Sequence, residues 1–492
     1  MDKETHLACF PSDYADLDLS FTSCTSTSTA LTDRTFAASC SSARSSLARS
    51  SLTLSFNDRL STTSTTTTTT TNPLHHHRKS DPHWTAIKAA TAISSDRTLH
   101  LRHLKLLRHV GTGDLGRVFL CRLRDDRDNP DAATFALKVV DKDLLTPKKL
   151  GHVSTEAEIL SMLDHPFLPT LYARIDVSHY TCLLIDYCPN GDLHNLLLRQ
   201  PLNRLPVSAV RFFAAEVLVA LEYLHALGVV YRDLKPENIL LREDGHVMLS
   251  DFDLCFKGDV NPTLQHRRVQ KTRPTKRKGT YSCFGSRREQ QEEMVAEFVA
   301  EPTTAFSKSC VGTHEYLAPE LISGNGHGNG VDWWAFGVFI YELLHGTTPF
   351  KGVTKENTLR NIAASSGVRF RVAEEEEEGM KEARDLIERL LVRDPRRRLG
   401  CAKGATEIKQ HPFFVGINWA LIRTYRPPEV NGLRRKPSKP HGNILVGPTQ
   451  KRRKCWWKAL GQFVRTRSSS NYKNNRHSNS NYYQYVSNKV VR

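Results

Sequence analysis

The chain has 492 residues, 39% of them hydrophobic, and a formal charge of +17 from 69 basic and 52 acidic side chains. That length allows more than one folded unit, and the charge favours an acidic partner: nucleic acid, anionic membrane or an acidic protein face. The 11 cysteines form no Cys-x-x-Cys pair or zinc-spaced cluster, and no apolar run approaches a membrane span. Met1 to Tyr14 carries acidic residues and lacks the apolar region of a secretory signal. A reduced protein of the cytosolic side is expected.

Residues 1–102 are expected to be a disordered extension. They are rich in Ser and Thr, with a near-homopolymer from Ser61 to Thr71, and such a composition buries too little apolar surface to offset its ordering entropy. His75-His76-His77 reads as solvated tail more readily than as a metal site. From His103 the texture becomes globular. Leu104–Leu107, Val118–Leu120 and Phe135–Val140 read as strands, the first two joined by Gly111-Thr112-Gly113-Asp114-Leu115-Gly116. Helical spacing covers Val153–Leu163, and strands follow at Thr170–Ile175 and Cys182–Tyr187. Beyond Gly191 helices dominate, at Val207–Leu227, Asp332–Leu344 and Met380–Leu391, with the globular part ending near residue 416. The fold class is therefore α+β, with a strand-rich small lobe and a mostly helical large one spanning 103–416. Residues 257–307 are polar, with a basic centre around Lys276-Arg277-Lys278, and are too long for an ordinary loop. Residues 417–492 are a further extension, rich in Pro, Lys and Arg and then in Asn, Ser and Tyr.

The chemistry centres on Tyr231-Arg232-Asp233-Leu234-Lys235-Pro236-Glu237-Asn238 and on Asp251-Phe252-Asp253. The glycine turn alone is weak evidence, because dinucleotide-binding folds share its spacing. There, however, the third glycine opens a helix, whereas here Arg117-Val118-Phe119 continues as strand. A hairpin whose amides close over phosphates fits better. Lys138 sits in an apolar strand where an unpaired ammonium is costly. ATP phosphates and a helix carboxylate would satisfy it, Glu156 being the first choice and Glu158 the second. Asp233 can orient and deprotonate a hydroxyl, and Lys235 can neutralise a migrating phosphoryl group. Asn238 and Asp251 offer the hard oxygens that Mg2+ prefers between phosphates.

These residues resemble the signature set of the eukaryotic protein kinases, together with Ala318-Pro319-Glu320, Asp332-Trp333-Trp334 and Arg398. Tyr231 before Arg-Asp, Gly312-Thr313-His314-Glu315-Tyr316 and Arg426-Pro427-Pro428 are similar to the AGC serine/threonine kinases. Asp251-Phe252-Asp253 and the long insertion resemble their plant-specific branch. Asp16–Phe21 and Ser42–Asn57 most resemble the WAG kinases, relatives of PINOID. The resemblance implies ATP and Mg2+ as cofactors and protein substrates, among them PIN-type auxin efflux carriers in the control of polar auxin transport. It implies nucleotide binding by Val110, Gly111, Thr112, Gly113, Asp114, Leu115, Gly116, Arg117, Val118, Ala136, Lys138 and Glu156, and by a hinge that includes Asp186 and Cys188. It makes Ser309 the activation-loop phosphosite, facing Arg232, and gives Thr313 a part in choosing Ser/Thr acceptors. Asp192, Glu237 and Glu342 would receive basic residues beside the target serine, although structural salt bridges would use the same carboxylates. Asp253, standing where the kinases have glycine, should make inversion of the metal motif harder while leaving activity intact. No terminal Phe-x-x-Phe is present, which puts in doubt activation by an upstream kinase through that motif.

In the tail, Lys451-Arg452-Arg453-Lys454-Cys455-Trp456-Trp457-Lys458 leads into Leu460, Phe463 and Val464, so that residues 451–467 can form a basic, aromatic face for anionic lipid. Nuclear import, or packing of the tryptophans on the kinase surface, are the alternatives. Plasma membrane and cytoplasm are the expected locations, with the nucleus open. A pseudokinase scaffold is disfavoured because no catalytic or metal residue is missing. Specific nucleic-acid binding is not expected, since no zinc finger, RNA-binding signature or helix-turn-helix is present.

Overall fold

The computed structural model describes residues 81–92, 94–124, 133–270, 292–364, 367–370 and 377–433. The serine- and threonine-rich stretch up to residue 80, the basic centre of the insertion and the 451–467 segment lie outside them.

The first element corrects the expected boundary of the N-terminal extension. Helix α1 (Pro82–Ala92) begins where the Asp81 carboxylate accepts the His83 N–H at 2.8 Å, which occupies one of the amides that a helix start leaves unpaired. Trp84, Ile87 and Ala90, three residues apart, are buried in the small-lobe core against Tyr172. Leu99 and Leu101 join the same core. The folded unit therefore starts about twenty residues before the expected position, because this short stretch carries enough apolar side chains to cover one face of the sheet.

That sheet is antiparallel, in the order β1-β2-β3-β5-β4: β1 (Leu104–Thr112), β2 (Arg117–Leu123), β3 (Thr134–Asp141), β4 (Leu171–Asp176) and β5 (Tyr180–Asp186). Helix α2 (Pro147–Met162) lies between β3 and β4 in sequence. Thr146 caps it, with proline in the first turn, and it buries Val153, Glu156, Ala157, Ile159 and Leu160 at helical spacing.

The large lobe begins with α3 (Leu193–Leu198) and α4 (Val207–Ala226), followed by the short strands β6 (Val229–Val230), β7 (Ile239–Leu241), β8 (Val247–Leu249) and β9 (Phe256–Lys257). The pairs β7–β8 and β6–β9 frame the catalytic stretch. The polar insertion, which showed little periodicity, returns on itself as an antiparallel ribbon of β10 (Thr263–Gln270) and β11 (Glu292–Val299). Helices α5 (Pro319–Ile322), α6 (Gly330–His345), α7 (Lys355–Ala363), α8 (Met380–Leu390) and α9 (Ala405–Lys409) complete the lobe. In α6 every residue except Glu342 is buried, as expected of a helix that is apolar all round and central to a core. After residue 416 the chain still packs: Trp419 meets Phe414 at 5.4 Å between ring centroids, and Ile422 is buried. No described helix is long and apolar enough to cross a membrane.

Candidate active site

Strand β3 carries Lys138 to the middle of the sheet, opposite Val118 of β2. Its Nζ donates to Glu156 Oε1 at 2.7 Å and Oε2 at 2.8 Å, and to Asp251 Oδ1 at 3.1 Å. Glu158 is exposed on another side of α2 and meets Lys257 at 3.3 Å, so the choice between the two glutamates falls on Glu156. Burial opposes the charge on Lys138, but the carboxylates of Glu156, Asp251 and Asp253 outweigh it and raise its pKa above the usual lysine range. The same ammonium holds Asp251 below the usual carboxylate range. Burial, with Asp251 and Glu156 close by, pushes Asp253 up to about 7 against the pull of Lys138.

Asp233 lies at the centre of the catalytic stretch. Its Oδ2 accepts from Lys235 Nζ at 2.8 Å and from Asn238 Nδ2 at 2.8 Å, and its Oδ1 accepts from Thr313 Oγ1 at 3.2 Å. Lys235 also donates to Thr313 at 2.9 Å. A second Asn238 amide hydrogen goes to the Asp233 carbonyl at 2.9 Å, so Oδ1 is what Asn238 can offer a cation. The uncommon Tyr231 is fully buried, packs its ring at a tilt against Phe252 at 5.5 Å between centroids, and donates its hydroxyl to the carbonyl of Ser250, the residue before Asp251. The two halves of the site are thereby tied together. Asp251 and Arg232 are non-glycine residues held at positive φ, 53° and 68°, whereas Asp253 is not among the positive-φ residues. In this conformation the third position of the metal motif does not require glycine.

The glycine turn is closed by Gly113 N–H donating to Gly116 C=O at 2.9 Å. A Cβ on Gly111 or Gly113 would meet nothing within 4 Å, whereas one on Gly116 would lie 2.3 Å from the Val139 carbonyl. Gly116 therefore permits close approach to β3, and the other two border open space. Val110, Thr112, Asp114 and Arg117 are exposed along this turn. Leu115 is turned the other way, into a small cluster with Val140 and Val153. At the hinge, Asp186 uses its side chain internally, accepting from Thr170 N–H at 2.7 Å and from the Tyr172 hydroxyl at 3.0 Å. Ala136 pairs with Ile185 across β3 and β5, and Cys188 is buried against Met248.

The carboxylates expected to receive basic residues have a further acidic neighbour in Glu315. Glu342 accepts from the Tyr316 hydroxyl, and burial pushes it up to about 7, with Glu237 and Glu315 adding to the effect. Glu315, which sequence reasoning passed over, is held by Thr348 at 2.6 Å and Lys351 at 3.1 Å. Asp192 caps α3 by accepting from Asn195 N–H at 2.7 Å, and His194 of that helix faces Glu237 at 3.6 Å. Ser309 is exposed, and Arg232 reaches Ser307 instead. Arg398 clamps Glu320 through two hydrogen bonds of 2.6 and 2.9 Å beneath this segment.

A triphosphate and its metal fit these residues. Asp251 is held in its anionic form, Asn238 offers an oxygen, and the open glycine turn lies at the edge of the β-sheet that holds Lys138. Two oxygen-bearing side chains of this kind match the few protein ligands that Mg2+ takes when phosphate oxygens complete its shell.

The protein kinase domain family matches residues 104–273 and 293–414, leaving out the centre of the insertion. The chain is similar to the serine/threonine-protein kinase WAG1 of Arabidopsis thaliana, 67% identical over 96% of this chain and 98% of that protein. It is 63% identical to WAG2 of the same plant over 96% of each. With the protein kinase PINOID of Oryza sativa subsp. japonica it shares 48% identity over 72% of this chain and 74% of that one. A two-lobed fold, a paired lysine and a complete catalytic loop accompany these likenesses, and the chain belongs to the protein kinases as a serine/threonine kinase of the WAG and PINOID group.

Proposed function

We propose that the chain transfers the γ-phosphoryl group of MgATP to serine or threonine hydroxyls of proteins, with Asp233 as the residue that orients and deprotonates the acceptor. The observation that carries this reading is the setting of Asp233, bonded at once to Lys235, Asn238 and Thr313. The acceptor oxygen forms a bond to the γ-phosphorus as the bond to the bridging oxygen of ADP breaks. The hydroxyl proton goes to Asp233, and Lys235 compensates charge on the phosphoryl oxygens. Asp251 and Asn238 would hold magnesium, which would supply charge neutralisation for the phosphates. Lys138, fixed by Glu156, would pair the α- and β-phosphates of the nucleotide. Thr313, donating to Asp233, helps select the hydroxyl acceptor, and Ser309 is the activating phosphosite. Glu237 and Glu342, with Asp192 on the neighbouring helix, receive arginine or lysine flanking the acceptor.

The group likeness extends the proposal to PIN-type auxin efflux carriers as substrates, and so to control of polar auxin transport. Basic segments of the insertion and tail would hold the kinase at anionic plasma membrane, with a cytoplasmic pool. The test is phosphate incorporation from MgATP by the full chain, by itself and into the cytosolic loop of a PIN carrier, beside Asp233→Asn. Equal incorporation by both proteins refutes the assignment of Asp233. Incorporation into the chain but not into the loop refutes the substrate alone.

A further inference from the structure

We propose that Glu301, carried on the segment that returns from the insertion, is a positioning residue for phosphoryl transfer, setting the catalytic loop through His225 and Asp332. The proposal rests on the place given above to Asp233. The contacts run without a break. Glu301 Oε2 lies 2.7 Å from His225 Nδ1, and His225 Nε2 lies 2.8 Å from Asp332 Oδ2. Asp332 then accepts the backbone N–H of Tyr231 and that of Arg232, each at 2.8 Å, and Asp233 is the next residue. Arg232 needs that grip, since it stands at φ 68°, a region that side chains other than glycine rarely adopt.

The site around Glu301 is built for a carboxylate. Asn329 Nδ2 donates to Oε2 at 2.8 Å, and the Ala405 N–H approaches Oε1 at 3.4 Å. Gly404 makes room, for a Cβ there would fall 1.8 Å from Oε1. The side chains of His225, Glu301 and Asp332 are 0%, 4% and 0% exposed. Two carboxylates excluded from water in this way require a cation between them. Burial lowers the pKa of His225, but Glu301 and Asp332 raise it to about 10. Those two are the charged groups facing the ring, and Trp333 closes its edge, 4.7 Å between centroids. Glu301 is reached two residues after β11, and it also lines, with Phe298 of that strand and with Tyr223 and Trp419, a cavity of about 450 Å³. The insertion thus contributes one buried charge to the scaffold of the catalytic loop, and a shift of its return strand alters the protonation and placement of His225.

The test uses the full chain and initial rates of phosphate incorporation from MgATP, for wild type, Asp233→Asn and Glu301→Gln. Glutamine keeps the shape of the site and removes the charge, so His225 loses its proton at a lower pH than in wild type. The expected result is a kcat reduced about tenfold or more near pH 8, with KM for ATP within about twofold. The rate should recover as pH falls to about 6.5 and His225 regains its proton, whereas wild type shows no such limb. Wild-type kcat in Glu301→Gln, or a loss that no pH restores, overturns the proposal. Should that variant melt too early to assay, Glu301→Asp keeps the charge with a shorter reach. A reduced kcat at unchanged KM for ATP then supports the coupling, and an unchanged kcat overturns it. A wild-type chain no more active than Asp233→Asn overturns the catalytic assignment itself.

Discussion

Arg232 donates to the hydroxyl of Ser307 at 3.3 Å, and the backbone N–H of Ser309 donates to that same oxygen at 3.2 Å. Ser307 is pinned in turn by backbone bonds of 3.0 and 2.9 Å with the buried His327. Arg232 also donates to the Leu254 carbonyl at 2.6 Å and lies over Phe256. A phosphate on exposed Ser309 therefore has to displace the Ser307 hydroxyl to reach the guanidinium, and it gains a charge-assisted pair by doing so. Ser309→Ala should lower kcat about tenfold or more, whereas Ser307→Ala, which removes only the neutral competitor, should stay within about threefold. Steady-state rates of the two variants check this, and the reverse order would move the switch to Ser307.

The Lys138–Glu156 pair is buried on both sides, with side chains 9% and 3% exposed. Removing Glu156 takes away the carboxylate bonded most closely to the buried ammonium, while Asp251 at 3.1 Å still offsets part of its charge, so the loss stays below the about 3–5 kcal/mol of a wholly uncompensated buried charge. Glu156→Gln should therefore lower the melting temperature of the small lobe as well as kcat. Glu158→Gln, at an exposed pair, should change stability by less than about 1 kcal/mol. Thermal denaturation of both variants separates the two glutamates, and equal shifts would contradict the pairing.

The catalytic loop was legible because its polar residues sit at fixed offsets in an apolar frame, and local spacing is what sequence displays. Glu156 and Glu158 differ by two positions on a helix, so only one can face Lys138. The buried series Val153, Glu156, Ala157 and Leu160 settles which. The triad of Glu301, His225 and Asp332 was invisible, since its members are 76 and 107 residues apart along the chain. The insertion ribbon escaped notice for another reason. Leu264, Met294 and Phe298 are exposed on it, so it lacks the alternation of apolar and polar residues that marks a half-buried strand. Helix α1 was missed because an isolated helix of 11 residues is marginal, and its stability comes from the sheet it covers.

That last point has a measurable consequence at Trp84. Its ring packs against Tyr172 at 5.2 Å between centroids and is 8% exposed, within a core shared with Phe135 and Leu184. Trp84→Ala should destabilise the small lobe by about 3 kcal/mol or more, in line with other aromatic-to-alanine changes in cores. Deletion of residues 1–80, which leaves α1 in place, should not lower its melting temperature. Denaturant unfolding followed by tryptophan fluorescence tests the deletion, and circular dichroism tests the substitution. An unaltered midpoint for Trp84→Ala would return α1 to the N-terminal extension.

Glu342, if it receives a basic side chain as proposed, should make the binding of arginine-bearing peptides depend on pH. Burial raises its pKa to about 7, Glu237 and Glu315 add to the rise, and Tyr316 and Lys351 oppose it. Below that value the carboxyl is neutral and attracts a cationic side chain weakly; above it the charge is present. A peptide with arginine beside its acceptor serine should therefore bind more tightly as pH rises through about 7, with KM falling, while a peptide lacking arginine should show no such trend. The stability sign is opposite. The folded state holds this proton more firmly than the unfolded chain, so the contribution is complete below the ordinary glutamate value and is lost as pH rises through about 7. Glu342→Gln, always neutral, should remove both dependences and raise KM for the arginine peptide at pH 8 to about its pH 6 value in the wild type. KM measured at the two pH values for both proteins decides it, because a trend that survives in Glu342→Gln must come from another group.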